Sequence, residues 1–280
     1  MKNRYRLLSL TLLLVAGLSA RAETTNCTAI TSLPAVITSQ GVYCLTGDLS
    51  TSMTSGNAIE IQVNNVTLDL NGFKLGGLGA GDATQTNGIF ADQRKNITIK
   101  NGIVRGFLRG IWLDAPSFTA SSGHVVKNIL ADQNTNTGIW VAGLGNTVSR
   151  NRVVDTGGST VSPNMSGILV SGFGAKVTDN AISTTTGTNN TFGIILGTAD
   201  YSLVQNNTVT DTIPGTGGGV AVQINGSDGV FVRNNNVANA VVGLGFSNGS
   251  TGIYKDNLAF DVTFPFFGTG TDGGGNIFAP

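Results

Sequence analysis

The sequence predicts an all-β solenoid of parallel strands, and three observations predict it. A Gly-apolar-x-apolar unit recurs as Gly88-Ile-Phe-Ala, Gly110-Ile-Trp-Leu, Gly138-Ile-Trp-Val, Gly167-Ile-Leu-Val, Gly193-Ile-Ile-Leu, Gly219-Val-Ala-Val and Gly243-Leu-Gly-Phe, its glycines 22, 28, 29, 26, 26 and 24 residues apart. Most copies are followed by a second short unit, apolar-x-x-Asn-x-apolar, carrying Asn128, Asn151, Asn180, Asn207 and Asn235. Composition agrees: 40 glycines supply turns, and 40% hydrophobic residues in alternation supply strands. A strand this short buries little alone, but a repeat in the twenties lets each copy pair with the next and share one core. Leucine-rich repeats need an LxxLxLxxN pattern, and propeller blades need a period near 40; neither fits.

Taken in chain order, residues 1–22 read as a signal peptide. Lys2, Arg4 and Arg6 form a basic start, Leu7 to Leu18 is apolar, and Ala20-Arg-Ala22 fits a cleavage site. The apolar run is too short to span a bilayer, so export to the periplasm or medium is expected, without membrane insertion. Residues 23–55 are expected to form an N-terminal cap. They hold the only cysteines, Cys27 and Cys44, which an oxidising compartment would pair. Residues 56–260 are the solenoid, starting from a weaker copy, Ala58-Ile-Glu-Ile. Ile89, Ile111, Ile139, Ile168 and Ile194 should form one internal column, and the recurrent asparagines a hydrogen-bonded corner. Residues 261–280, with Phe264, Phe266, Phe267 and Phe278, are expected to cap the far end.

These repeats resemble the right-handed parallel β-helix superfamily, which includes pectate-lyase-like enzymes, polygalacturonases, alginate epimerases and NosD-like periplasmic repeat proteins. The resemblance covers about residues 56–260 and implies a right-handed, single-stranded parallel β-helix of about eight coils. It carries no catalytic residue across. The Asn-Thr-Asp, Asp-Asp, His-Gly and Arg-Ile-Lys motifs of polygalacturonases are missing, as is the Arg-x-Pro-x-x-Arg of pectate lyases.

Alternation directs the second and fourth residues after each glycine outward. The second-position column then reads Glu60, Phe90, Trp112, Trp140, Leu169, Ile195, Ala221, Gly245, and the fourth reads Gln62, Asp92, Asp114, Ala142, Ser171, Gly197, Gln223, Ser247. Phe90, Trp112 and Trp140 form an aromatic strip suited to the apolar faces of sugar rings, beside two carboxylates on adjacent coils. Asp92 and Asp114 are candidates for acid–base work, and Arg105 and Arg109 for the base of a lyase. Glu60 and Lys127 complete the candidate ligand-binding set. Arg94, Lys95, Lys100, Arg105, Arg109 and Lys127 are six cations within 34 residues, which suits an anionic polymer.

The expectation is an exported protein that binds an acidic polysaccharide, with chemical modification left open. A non-catalytic structural or adhesive solenoid is the alternative, and a periplasmic metal-handling protein a weaker one. Four of the 16 basic residues leave with the signal, so twelve face 16 acidic ones and general nucleic-acid binding is disfavoured. No metal site or cofactor is expected: there is one histidine, His124, and Met53 and Met165 lie far apart. The Gly268–Gly275 segment resembles a single calcium-binding glycine repeat, where such sites need stacked copies, and reads as a turn.

Overall fold

The computed structural model describes residues 26–279. The expected signal peptide lies outside the described residues. Among those described, no helix is long and apolar enough to cross a membrane. Strands pair in parallel throughout, each with the strand one coil before and one coil after, giving a β-solenoid with three faces.

The first sheet stacks Ser55–Ile61, Gln85–Asp92, Arg109–Asp114, Thr137–Ala142, Met165–Ser171, Thr191–Gly197 and Gly219–Asn225. The second carries strands such as Thr147–Ser149 and Lys176–Thr178, and the third strands such as Arg152–Gly157 and Ala181–Thr186. Two long strands, Asn236–Ser247 and Leu258–Gly268, bend from the third sheet into the first. The end segments, expected as caps, join the same columns: Ala35–Ile37 pairs with Ile59–Ile61, and Ile277–Ala279 with Leu258–Phe260.

The core is built as the sequence predicts. Ile59, Ile89, Ile111, Ile139, Ile168 and Ile194 are fully buried in one column. Alanine precedes Ile59 and glycine the other five, and close approach calls for the glycine: a Cβ on Gly138 would sit 2.6 Å from Val153 Cγ1 and 2.7 Å from the Gly167 carbonyl.

The asparagine corner exists, with its membership corrected. Asn151, Asn180, Asn207, Asn235 and Asn257 are buried and stacked. From Asn180 onward each Oδ1 accepts the backbone N–H and the Nδ2 of the asparagine one coil earlier, as in Asn180 to Asn207 at 3.0 Å for both bonds. Each Nδ2 also donates to a valine carbonyl of the preceding coil, Asn207 to Val177 at 2.9 Å. Asn128 instead lies outside, at φ 54°, in a turn column that Asn tolerates better than most residues; its neighbour Ile129 takes the corner.

Register departs from the expectation at one coil of the first sheet. Gly219 was expected to anchor that coil, but Ala221 holds the anchor position: Val222 pairs with Ile194 and Gln223 with Ile195. The second outward column therefore contains Gln223 rather than Ala221, and the fourth-position column Asn225 rather than Gln223.

Cys27 and Cys44 form a disulfide, as expected. It ties the first strand, Thr28–Ile30, to the second sheet strand Gly41–Leu45. Such cross-links belong to proteins that fold outside the reducing cytoplasm.

Candidate functional site

The outer face of the first sheet carries three side-chain columns, and the aromatic strip stands in the middle one. Phe90, Trp112 and Trp140 are registered neighbours. Ring centroids of Phe90 and Trp112 lie 4.9 Å apart, tilted, and those of Trp112 and Trp140 lie 5.4 Å apart, stacked. Parallel pairing on the coil repeat imposes this stacking, because identical positions recur about 4.8 Å along the axis. Leu169 and Ile195 continue the column.

Arg109 comes from the neighbouring column, in register with Asn87 and Thr137. Its guanidinium lies 4.2 Å above the Trp112 ring and 5.3 Å from that of Trp140. This is a cation–π arrangement, and it is what fixes the long side chain. Among the described residues no carboxylate pairs with it; its one side-chain hydrogen bond is a weak donation to Asn87 Oδ1 at 3.5 Å. Burial pulls the guanidinium below its ordinary value, opposed by Asp114, yet it stays charged at neutral pH.

Asp92 and Asp114 are paired in register in the third column, on adjacent coils. The Asp114 carboxyl is pushed up, first by burial and then by the charge of Asp92. The Ala115 amide, which donates to Asp114 Oδ1 at 2.9 Å, opposes the shift, as do Arg109 and, least, the Trp112 indole. That indole lies near the carboxylate without a formed hydrogen bond. Glu60 ends the aromatic column and is held ionised by Gln62 Nε2 at 2.8 Å and Asn57 Nδ2 at 3.1 Å.

Several polar atoms here have no protein partner although they are shielded from solvent. They are the indole nitrogens of Trp112 and Trp140, Nε of Arg94 and Arg109, and Oδ1 of Asp92. Buried donors and acceptors are normally satisfied, so such a concentration asks for an explanation. The two tryptophans are half-buried, by each other and by Arg109. The turns that follow the neighbouring strands are engaged elsewhere. Phe118 packs edge-on against Phe173 at 6.2 Å, and Thr160 reaches back to donate to the Asp82 carbonyl at 3.3 Å.

Not every candidate converges on this face. Arg105 lies on the third sheet and pairs with Asp132 at 3.1 Å. Lys127 lies on the second, stacked on Lys100, which pairs with Asp69 at 3.0 Å. The run of six cations is thus spread round the coil: strands of one coil face three directions, so closeness in sequence does not mean closeness on a face. His124 is buried in the corner before the second sheet. Its Nδ1 accepts the Ile97 amide at 3.2 Å, and Nε2 lies 2.7 Å from Ser121 Oγ. Among the described residues no three potential ligands from His, Cys, Asp and Glu gather for a metal. In the glycine-rich tail, Asp272 accepts the Gly274 amide and Asn276 Nδ2, both at 2.7 Å.

Sequence reading missed the column holding Asn87 and Arg109, because it lies before the glycine that anchors the repeat. Alternation gave no signal for it: two residues before an inward isoleucine is nominally inward, and the glycine between them, itself turned inward, breaks the alternation and sends Arg109 out over Trp112.

No protein-family model and no curated protein matches the chain. Solved structures do. The Dettilon tailspike protein superposes with a TM-score of 0.59 at 14% identity, covering 90% of this chain and 60% of its own. The enzymatically active domain of bacteriophage CBA120 tailspike protein 2 gives 0.57 at 15%, covering 87% and 41%. The chain resembles the right-handed parallel β-helix proteins. The A-module of the Azotobacter vinelandii mannuronan C-5 epimerase AlgE4 gives 0.54 at 12% identity, covering 85% of this β-helix and 80% of the module. The β-helix described here spans 41% and 60% of the two tailspike chains.

Proposed function

We propose that this β-helix acts outside the cytoplasm, periplasmic or secreted, and binds an acidic polysaccharide along the outer face of its first sheet. The observation that carries the reading is a guanidinium without a carboxylate partner, lying over two stacked indoles. The indoles offer apolar faces to sugar rings, and Arg109 offers fork-like donors to a uronate carboxylate. Two of the superposing folds belong to proteins named as a tailspike's enzymatically active domain and a mannuronan epimerase module, which supports carbohydrate as the ligand class.

The same face has the groups for acid–base chemistry. Asp114, with its carboxyl pushed up, is the proton donor, and Asp92 the second carboxyl group of the pair. Their coil spacing of about 4.8 Å is near the roughly 5–5.5 Å separation of retaining glycosidases. Arg109 serves better as a carboxylate anchor than as a base, because a guanidinium holds its proton. Arg105 has no part, standing on another sheet.

Co-sedimentation with insoluble or bead-linked polysaccharides tests the binding. Trp112→Ala with Trp140→Ala is expected to weaken retention on a uronate polymer at least about fivefold, in line with aromatic contacts worth roughly 0.5–1.5 kcal/mol each. Unchanged retention contradicts the reading. For any polymer the wild-type protein cleaves, Asp92→Asn with Asp114→Asn is expected to keep binding and abolish cleavage.

A further inference from the structure

Four coils beyond Trp112 in the same central column stands Gln223, and around it the outer face opens into a cavity of about 340 Å³. Its apolar wall is Phe192 and Val220, which continue the Arg109 column. Its polar side is Gln223, Asn225, Ser247 and Asn248, and none of its lining residues carries a charge.

The polar groups are held in a chain that leaves specific valences open. Gln223 is only 8% exposed. Its Nε2 donates to the Ile224 carbonyl at 2.8 Å and to Ser247 Oγ at 2.9 Å. Ser247 Oγ donates in turn to Asn225 Oδ1 at 3.1 Å, which also accepts from Asn248 Nδ2. Among the described residues, Gln223 Oε1 then accepts from no protein donor, and Asn225 Nδ2 donates to no protein acceptor. Glycine at 245 makes room, since a Cβ there would lie 2.8 Å from Gln223 Oε1. A free acceptor and a free donor in one uncharged cavity, with an aromatic ring in its wall, complement hydroxyl groups, which both give and take hydrogen bonds.

We propose that this cavity is a second subsite of the binding face and takes an uncharged sugar. The inference rests on the binding reading above and adds the composition and reach of the ligand. One coil advances about 4.8 Å, close to the length of one sugar in an extended chain. A polymer lying along the axis therefore places about one residue on each coil, and about five residues join Trp112 to Gln223. The ligand carries a uronate at the Arg109 end and a neutral residue at the Gln223 end. A charged sugar is disfavoured at the second subsite, where no cation compensates its desolvation.

The test uses alginate fragments of three and six sugars, each fully charged or with part of the carboxyls chemically reduced to neutral hexoses. Titration calorimetry reads affinity. For wild-type protein the partly reduced six-sugar set is expected to contain species that bind about tenfold tighter than the fully charged six-sugar fragment. Asn225→Ala with Ser247→Ala, both at the surface and checked by melting temperature, is expected to erase that advantage and to leave three-sugar affinities unchanged. Trp112→Ala is expected to weaken all fragments. Loss of binding in Trp112→Ala with no change in Asn225→Ala/Ser247→Ala overturns the second subsite alone. Binding of no fragment by wild-type protein overturns the reading it rests on, and this inference with it.

Discussion

At the scale of single residues, the solenoid decides protonation states by what it leaves room to solvate. His124 is 1% exposed, and its Nδ1 is committed as acceptor to the Ile97 amide. Burial pulls its pKa down to about 4, so it is neutral when folded. An unfolded histidine titrates near 6.5, and the unfolded chain therefore binds a proton first as pH falls. Stability is full above pH 6.5 and declines as pH drops toward 4, by about 3 kcal/mol. The next coil places Asn146 in this corner, where its Oδ1 accepts the His124 amide at 2.9 Å. His124→Asn should keep the acceptor and lose the titration. Denaturant midpoints of the variant are expected to change less than those of wild type between pH 7 and pH 4; equal losses would show that other groups dominate. Asp114 has the opposite character, a carboxyl pushed up at the surface face where a ligand would meet it. A displaced acid at a half-buried face is a feature of working sites, whereas a displaced histidine in a corner is a consequence of packing.

At the scale of elements, the asparagine ladder is the feature whose removal has the plainest cost. Asn207 accepts from Asn180 through both its backbone N–H and Nδ2, and donates to Val177 and Asn235. Asn207→Ala leaves several buried groups unpaired, at roughly 1–3 kcal/mol each. A loss of about 3 kcal/mol or more is expected in urea unfolding. Asn276, which ends the ladder where it is half-buried, should cost far less when changed to Ala, and equal losses would contradict a ladder. The repeat of Gly-apolar-x-apolar made these elements legible, because inward positions of these strands take apolar residues and the anchor position takes glycine or, at Ala58 and Ala221, alanine. Register within a coil was less legible. Gly219-Val-Ala-Val and Ala221-Val-Gln-Ile differ by a shift of two, which keeps Val222, Gln223, Ile224 and Asn225 on their own faces and moves only Ala221 inward and Val220 outward; alternation over those four residues cannot distinguish the two registers. The asparagine of the early coil was misplaced by one for a related reason. Val125 and Val126 are both apolar, and only Val126 is buried. The aromatic strip and its carboxylates were readable because they depend on alternation alone. The position of Arg109 above the indoles was not, because a long side chain's direction is set by its neighbours.

At the scale of the whole molecule, a solenoid is a stack in which each coil touches only its neighbours, so perturbations stay local. The Cys27–Cys44 disulfide closes a loop of 17 residues, worth roughly 3 kcal/mol in the chain-entropy model. Its reduction is expected to raise hydrogen exchange in strands from Thr28–Ile30 to Leu49–Ser50 and to leave Thr137–Ala142 protected. Faster exchange along the whole chain would mean a single cooperative unit instead. The same one-dimensional build gives the first sheet a continuous outer face, on which an elongated ligand fits better than a compact one. Trp112 and Trp140 are the only tryptophans in the chain, so their fluorescence reports on the proposed site and nowhere else. The most direct measurement is a fluorescence titration of the mature protein with uronate-containing and neutral polysaccharides, with acrylamide quenching before and after. A saturable shift with a uronate polymer, accompanied by protection from acrylamide, is the result this account predicts. An emission spectrum and quenching rate indifferent to every polymer would contradict it.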